Sequence, residues 1–579
     1  MSSRLRRSFA APRRARGSEP ALRADKSLRT TALSAATLSA CLLTLAAGCT
    51  PDEGPLEGPD ARATTASDES PGSTETSGLD AFAASFEDER NVLNVAVNEP
   101  NSLDPMRVQD PASVLIMRQL YEGLTRWDAP GQRVRPAAAE TIEVSDDART
   151  FTLTLRDDAT FHNGDPVTAQ DFAFAFNRIA LKENGADIAY LLELVKGFDD
   201  VNAFGDAKSL SGIRTPDAHT LVIELSEPYA NFPAVLTHPS LVPLPEEAFT
   251  ASDEFSARPV GNGPFEMAQP FELGTAVVLR AAEGHFQEPV IEGIRFLPFP
   301  DAASSWVPFT NDQLDITEVP TTRIEQAGEA YGEDGFVPLL VGSYYGFNLE
   351  SDELDDPRKR RAINLAIDRD SLAEDIFAET LQAPRGIVPL GMPGFSDDAC
   401  GDLCRFDAGE ARRLVRKLPE GQRRVTLEYT REQLQGRVAR RVRDNLEDAG
   451  IDVRLKAYAF NRYLERLSDA DHSMYRLGWI GEYPDPHVFL SALFASDSPD
   501  NHTGFDSKRI DSLLAQAQRE TDEGVRLELY RRIEERILEQ VPLVPVGSFR
   551  MFWTAAPRVR GVEFDVLGGF DAADISLER

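Results

Sequence analysis

Residue types that could make or break bonds are few and scattered in this 579-residue chain. Seven histidines stand at 162, 219, 238, 285, 472, 487 and 502. None forms the paired spacing that a zinc hydrolase needs. No Gly-x-Ser-x-Gly elbow exists for a serine nucleophile. Four cysteines, at 41, 49, 400 and 404, are too few for a disulfide scaffold or a multi-cysteine metal cluster. Cys400 and Cys404 sit close together after a turn-rich stretch. In an exported protein such thiols are free to oxidise and would close a small loop worth about 2 kcal/mol at most. Arg437, Arg440, Arg441 and Arg443 could meet an anion, but Glu432, Asp444 and Glu447 lie on or beside the same helical stretch. That mixture reads as a solvated helix face. The residues therefore point to recognition rather than catalysis, with no cofactor and no metal expected.

The composition supports a soluble globular body. Hydrophobic residues make up 42% and charged residues 27%, and the length calls for more than one core. Lys+Arg is 61 against 95 Asp+Glu, a formal charge of −34. Phosphate backbones need a basic face, so the charge argues against nucleic acid as a partner.

The first residues differ from the rest. Residues 1–48 carry nine Lys or Arg against Glu19 and Asp25, a net of +7 that leaves −41 for the remainder. A weakly apolar stretch over 30–47 ends in Leu45-Ala46-Ala47-Gly48-Cys49. A basic region, an apolar region and small residues before a cut site make a secretory signal. The ending resembles a bacterial lipobox, which implies lipidation of Cys49 as the first mature residue. Ala46 stands where that pattern usually has Leu. Arg6-Arg7-Ser8-Phe9 also looks like a twin-arginine export signal set far upstream, so the export route stays open. Residues 51–78 hold one large apolar residue, Leu56. Such a segment cannot repay the entropy of ordering and reads as a tether, over 49–90 in all.

From Asn91 the pattern becomes that of a folded body. Residues 91–97 alternate like a strand, and Asn98-Glu99-Pro100-Asn101-Ser102-Leu103-Asp104-Pro105 is a turn. Val114, Leu115, Met117, Leu120 and Tyr121 have helical spacing. Strands follow at 151–155, 220–225, 275–279, 425–429 and 451–455. Helices are predicted at 169–179 behind an N-cap at Thr168, at 358–367, at 370–378, at 433–449 up to Gly450, at 510–520 and at 525–539. Strand–helix alternation in the later half predicts an α/β fold.

Several segments together resemble the family 5 extracytoplasmic solute-binding proteins, the peptide receptors of ABC importers. They are Leu120-Tyr121-Glu122-Gly123-Leu124-Thr125-Arg126-Trp127-Asp128; Val144-Ser145-Asp146-Asp147; Phe161-His162-Asn163-Gly164-Asp165-Pro166-Val167; Val260-Gly261-Asn262-Gly263-Pro264-Phe265; Arg361-Ala362-Ile363-Asn364-Leu365-Ala366-Ile367-Asp368-Arg369; Gly478-Trp479-Ile480-Gly481-Glu482-Tyr483-Pro484-Asp485-Pro486; and Pro542-Leu543-Val544-Pro545. Their collinear order over most of the body carries the likeness.

The resemblance implies a periplasmic-binding-protein-like two-lobed α/β fold of class II, cluster C type, with an extra subdomain in the first lobe. It implies a signal over 1–48, a tether over 49–90, lobe I over 91–340 with an insertion at about 108–235, lobe II over 341–548, and a return to lobe I over 549–579. It implies a monomer exported and held by lipid on the outer side of a membrane, serving ABC permease subunits. The ligand-binding residues it points to are Gly478, Trp479, Ile480 and Glu482, with Asp485 as a second carboxylate, Asn101 and Ser102 at the cleft edge, and His238 in a pocket. In that family the position of Glu482 is an Asp that meets the ligand's amino group. A longer acid here keeps the charge and moves it. The same resemblance leaves open nickel complexes, oligosaccharides or opines as ligands, and peptide sensing instead of transport. A secreted hydrolase is the different-class alternative.

Overall fold

The computed structural model describes residues 86, 88–108, 110–250 and 252–578. The expected signal, the lipidation site Cys49, Cys41 and nearly all of the tether lie outside the described residues.

The backbone of the architecture is one mixed eleven-stranded sheet. Its spatial order is Asp452–Tyr458, Arg424–Thr430, Met474–Ile480, Phe336–Phe347, Leu543–Ala555, Ile316–Glu318, Val92–Val97, Gly293–Pro298, Val277–Ala281 and Phe265–Met267. The eleventh strand, Leu381–Gln382, pairs beside this path with Leu543–Ala555. Two long strands occupy the middle. Phe336–Phe347 has 12 residues and Leu543–Ala555 has 13. They run antiparallel from Phe336↔Phe552 to Gly346↔Leu543 and cross between two large cores. One core gathers Leu93, Ile116, Phe151, Phe172 and Phe265. The other gathers Tyr345, Ile363, Leu427, Val442 and Ile533. Two cores linked by two crossing strands make a two-lobed α/β fold, which suits a chain too long for one core.

A separate four-stranded antiparallel sheet lies within the first lobe, in the order Ala139–Val144, Thr150–Leu155, Thr220–Glu224, Ile213–Arg214. The helix Ala169–Ala180 buries Phe172, Phe176 and Ile179, residues spaced as one helical face. The Asp171 carboxylate accepts from the Thr168 N–H at 2.7 Å, tying down a donor that the first turn cannot satisfy. The helix Gln433–Asp448 is followed by Gly450 at φ +95°, a conformation that suits glycine.

The crossing strand Phe336–Phe347 has no plain sequence pattern. Pro338, Gly342 and Gly346 interrupt it. Its register with Leu543–Ala555 shifts between Pro338 and Gly342, where a proline is tolerated because the ladder is already broken. After residue 555 the chain packs against the helix Pro111–Leu120. Arg118 pairs with Asp565 at 2.6 Å, and the Gln119 side-chain amide donates to the Phe570 carbonyl at 2.9 Å. A disulfide joins Cys400 to Cys404.

Candidate functional site

The strand Met474–Ile480 pairs with Phe336–Phe347 along its whole length, from Ile480↔Val341 to Met474↔Phe347. On its other side, only Met474 and Tyr475 pair, with Leu427 and Glu428. The Tyr463 hydroxyl accepts from the Arg476 N–H at 2.9 Å and donates to the Arg476 carbonyl at 2.7 Å. Among the described residues no strand pairs with 477–480 on that side. An open edge of this kind is where an extended chain can add as a further strand.

The chain then turns. The Gly481 N–H donates to the Leu340 carbonyl at 2.7 Å. A Cβ at Gly481 would come within 2.9 Å of the Phe489 ring, so the close approach requires glycine. The next residue, Glu482, projects into an open cleft of about 1420 Å³ between the lobes. Its walls include Val114, Tyr121 and Trp127 from the first lobe and Val341, Ile480 and Gly481 from the second.

Glu482 is a carboxylate with no cationic partner among the described residues, its neighbours being the Tyr190 hydroxyl and His238. Its side chain is 18% exposed, and Oε1 is buried and makes no hydrogen bond among the described residues. Oε2 lies 3.9 Å from Nε2 of His238, whose side chain is 9% exposed. The Ser240 N–H donates to Nδ1 of His238 at 3.2 Å. Nδ1 is therefore the accepting nitrogen, and in the neutral ring the proton sits on Nε2, the nitrogen nearer the acid. Burial pushes the imidazole down to about 4, so it stays neutral near pH 7. Burial also pushes the Glu482 carboxyl up to about 7, opposed by the Tyr190 hydroxyl. The Tyr190 phenol is in turn raised well above its ordinary value by burial and by Glu482. An acid that ionises near neutrality in a partly dry cleft is set to gain from an arriving cation.

The other residues named from the sequence divide. Ile480 lines the same cleft. Trp479 points to the opposite face of its strand, as alternation requires, and its indole N–H donates to the Val488 carbonyl at 2.6 Å. It lines a second-lobe pocket of about 700 Å³ with Phe489 and Leu493. Gly478 pairs with Ser343 and leaves its face bare between Arg476 and Ile480. Asp485, expected as a second ligand carboxylate, is 1% exposed and already committed. One oxygen accepts from the His487 N–H at 2.7 Å and the other from the Asn231 side chain. Nearby, the Ala230 N–H donates to the Gln518 carbonyl at 2.7 Å. Asp485 thus ties the two lobes together instead of facing the cleft.

Asn101 and Ser102, expected at the cleft edge, are not among the residues that line this hollow. The Asn101 N–H donates to the Asp110 carboxylate at 3.2 Å, and the Ser102 N–H to the Ser113 hydroxyl at 3.3 Å. They brace the start of the helix Pro111–Leu120, and the cleft wall there is Asp110, Pro111 and Val114. Asp110 before Pro111 is a readable helix N-terminus, and that signal would have found the wall. The tempting arginines on Gln433–Asp448 prove to be surface groups, with Arg441 paired to Asp375 and Arg443 to Asp444.

Arg476 went unread in the sequence. It is 6% exposed, and its Nη2 donates to the Ser343 hydroxyl at 3.3 Å. Among the described residues no carboxylate lies within ion-pair distance of it. By strand alternation it shares a face with Gly478 and Ile480.

Two lobes joined by crossing strands, with an open strand edge and a charged group in the cleft between them, define a binding protein that closes on its ligand. Comparison with known proteins gives the family. Residues 133–501 match the model of the bacterial extracellular solute-binding proteins, family 5, and the chain belongs to that family. It is 26% identical over 503 residues to the oligopeptide-binding protein OppA of Bacillus subtilis, covering 82% of this chain and 90% of the relative. The fold is similar to that of MppA, a periplasmic murein tripeptide binding protein, in its unliganded open form. There the TM-score is 0.75 at 23% identity, over 85% of this chain and 98% of the other. Haemophilus influenzae OppA in complex with the peptide RPPGFSPFR gives a TM-score of 0.64 at 23% identity, over 85% of this chain and all of the other. Among the described residues no helix is long and apolar enough to cross a membrane.

Proposed function

We propose that this protein is the receptor of an ABC importer and captures short peptides between its lobes. The observation that carries this reading is the Glu482 carboxyl in the cleft, with no cation paired to it among the described residues, beside the unpaired edge at 477–480. A short peptide brings a terminal ammonium and unpaired backbone groups, each costly to bury unless paired. Glu482 meets the ammonium, with His238 neutral beside it. The strand edge meets the backbone. Arg476 meets the carboxylate by reaching over the bare face of Gly478. Ligand side chains then fall into the surrounding hollows, which suits a receptor tolerant of sequence. The peptide binding named for B. subtilis OppA and the peptide held by H. influenzae OppA support the same reading.

The rest of the reading follows the family. Residues 1–48 direct export, Cys49 carries the lipid and 49–90 form the tether. Lobe I takes 91–340 with its insertion at about 108–235, lobe II takes 341–548, and 549–579 return to lobe I. A monomer tethered outside the cytoplasmic membrane then hands its ligand to permease subunits. One acyl chain holds a protein only marginally, so the anchor needs more than one. Native mass spectrometry of the purified protein tests the ligand class. A co-purifying mass of two to five residues supports it, and a nickel complex, an oligosaccharide or an opine replaces it.

A further inference from the structure

The interlobe cleft has a second chamber. It is an open hollow of about 1120 Å³, solvent-open space included, and adjoins the Glu482 cleft across Pro111, Leu339, Val341 and Met551, which line both. Its walls are mostly apolar, with Val97, Leu115, Phe299, Phe549 and Trp553 prominent. Two acids stand among them, Asp301 and Glu318. Glu318 ends the short strand Ile316–Glu318 and lies opposite Trp553 in the antiparallel register. Alternation therefore puts Glu318, Trp553, Met551 and Phe549 on one face of the sheet. That face continues through Leu339 and Val341 to Ile480, next to Glu482.

Glu318 is half-buried, and among the described residues its carboxylate has no hydrogen bond and no ion pair. Burial alone pushes its carboxyl up to about 7. The other charged groups of the chamber are turned to other tasks. Asp301 caps the helix Ala302–Thr310 by accepting from the Ser304 N–H at 2.8 Å. Arg550 lies on the opposite face of its strand, with its guanidinium over the Phe552 ring at 5.0 Å and Nη2 donating to the Glu379 carbonyl at 3.3 Å. An unpartnered acid in a mostly apolar hollow matches a side chain with a long hydrocarbon stem and a cationic head. Lysine and arginine have that construction.

Building on the peptide reading above, we propose that Glu318 selects peptides carrying a lysine or arginine side chain near the amino end. The stem lies against Phe549, Leu339 and Trp553, and the charge meets the Glu318 carboxylate. The strand of Glu318 and the strand leading to Glu482 are three strand spacings apart, roughly 14 Å across the sheet. A ligand whose amino end is held at Glu482 reaches Glu318 by turning its first residues and one long side chain over Val341 and Met551, which line both hollows, away from the edge at 477–480.

Isothermal titration of the whole protein with Ala-Lys-Ala, Ala-norleucine-Ala and Ala-Ala-Ala at pH 8, and then of Glu318→Gln, tests this. Norleucine keeps the stem and removes the charge. The wild type is expected to bind the lysine peptide at least tenfold more tightly than the norleucine peptide. Glu318→Gln is expected to erase that preference and to keep the wild-type affinity for trialanine, which also reports that the variant is folded. Moving the lysine to positions 1, 3 and 4 locates the chamber along the ligand. Equal wild-type affinity for the lysine and norleucine peptides, or a preference that survives in Glu318→Gln, overturns the proposal. A wild type that binds no peptide, trialanine included, overturns the peptide reading and this inference with it.

Discussion

Nε2 of His238 and Oε2 of Glu482 lie 3.9 Å apart although 244 positions separate them in sequence. The histidine is embedded in the first lobe, between Leu236 and Leu241, and the acid follows a strand of the second. Burial drives the two in opposite senses, the imidazole down to about 4 and the carboxyl up to about 7. Near neutrality the imidazole stays neutral and the acid is the group of the pair that titrates. On the proposed function, an arriving ammonium displaces the proton of the acid.

This linkage predicts a pH profile. The ionised carboxylate binds the ammonium, so below about pH 7 the free site must first give up a proton. Affinity should fall about tenfold per unit there, reaching roughly a hundredfold at pH 5. Above about pH 8 the peptide's own amine loses its charge and affinity falls again. Titration at pH 6 in buffers of different ionisation enthalpy should show release of close to one proton. A flat profile from pH 5 to 7 contradicts the raised acid.

Asp485 should behave differently from Glu482. Asp485→Ala leaves the His487 N–H and the Asn231 amide without their acceptor in a buried place, a loss of about 1–3 kcal/mol. The expected outcome is a lower melting temperature, with ligand affinity changed less than by the equivalent change at Glu482. Thermal melts and titrations on the two variants check this.

Arg476 should set the preference for a free carboxylate. Wild-type protein should bind a tripeptide acid at least tenfold more tightly than its amide, a difference of about 1.4 kcal/mol. Arg476→Gln should bind the two alike. Titration of both ligands against both proteins decides it, and a preference retained in the variant moves the carboxylate partner elsewhere.

Legibility in the sequence followed the range of the interaction. The helix Gln433–Asp448 and its stop at Gly450, or Ala169–Ala180 with Thr168 and Asp171 at its head, are written within a few residues. The crossing strand Phe336–Phe347 is not, because its proline and glycines break the alternation that marks a strand. Asp485 and Glu482 stand three residues apart in one motif, and nothing local tells the acid that clamps the lobes from the acid that faces the cleft. Arg476 and Glu318 acquire meaning only through strand registers with Tyr345 and Trp553. Asn101 and Ser102 lie a short distance upstream of the lining residues Asp110, Pro111 and Val114, and a turn looks the same in sequence on either side of a cleft.

Cys49→Ser should free the protein from membranes. Fractionation of expressing cells should move it from the pellet to the soluble exported fraction. Continued sedimentation with vesicles contradicts lipid anchoring at that cysteine.

The central claim is that the ligand's amino end is held by Glu482. Titrating trialanine and N-acetyl-trialanine into the wild type and into Glu482→Gln at pH 7.5 tests it most directly. The account predicts at least a tenfold loss on acetylation in the wild type, and equal, weak binding of both ligands in Glu482→Gln. Equal binding of the two ligands by the wild type, or an unchanged preference in the variant, would contradict it.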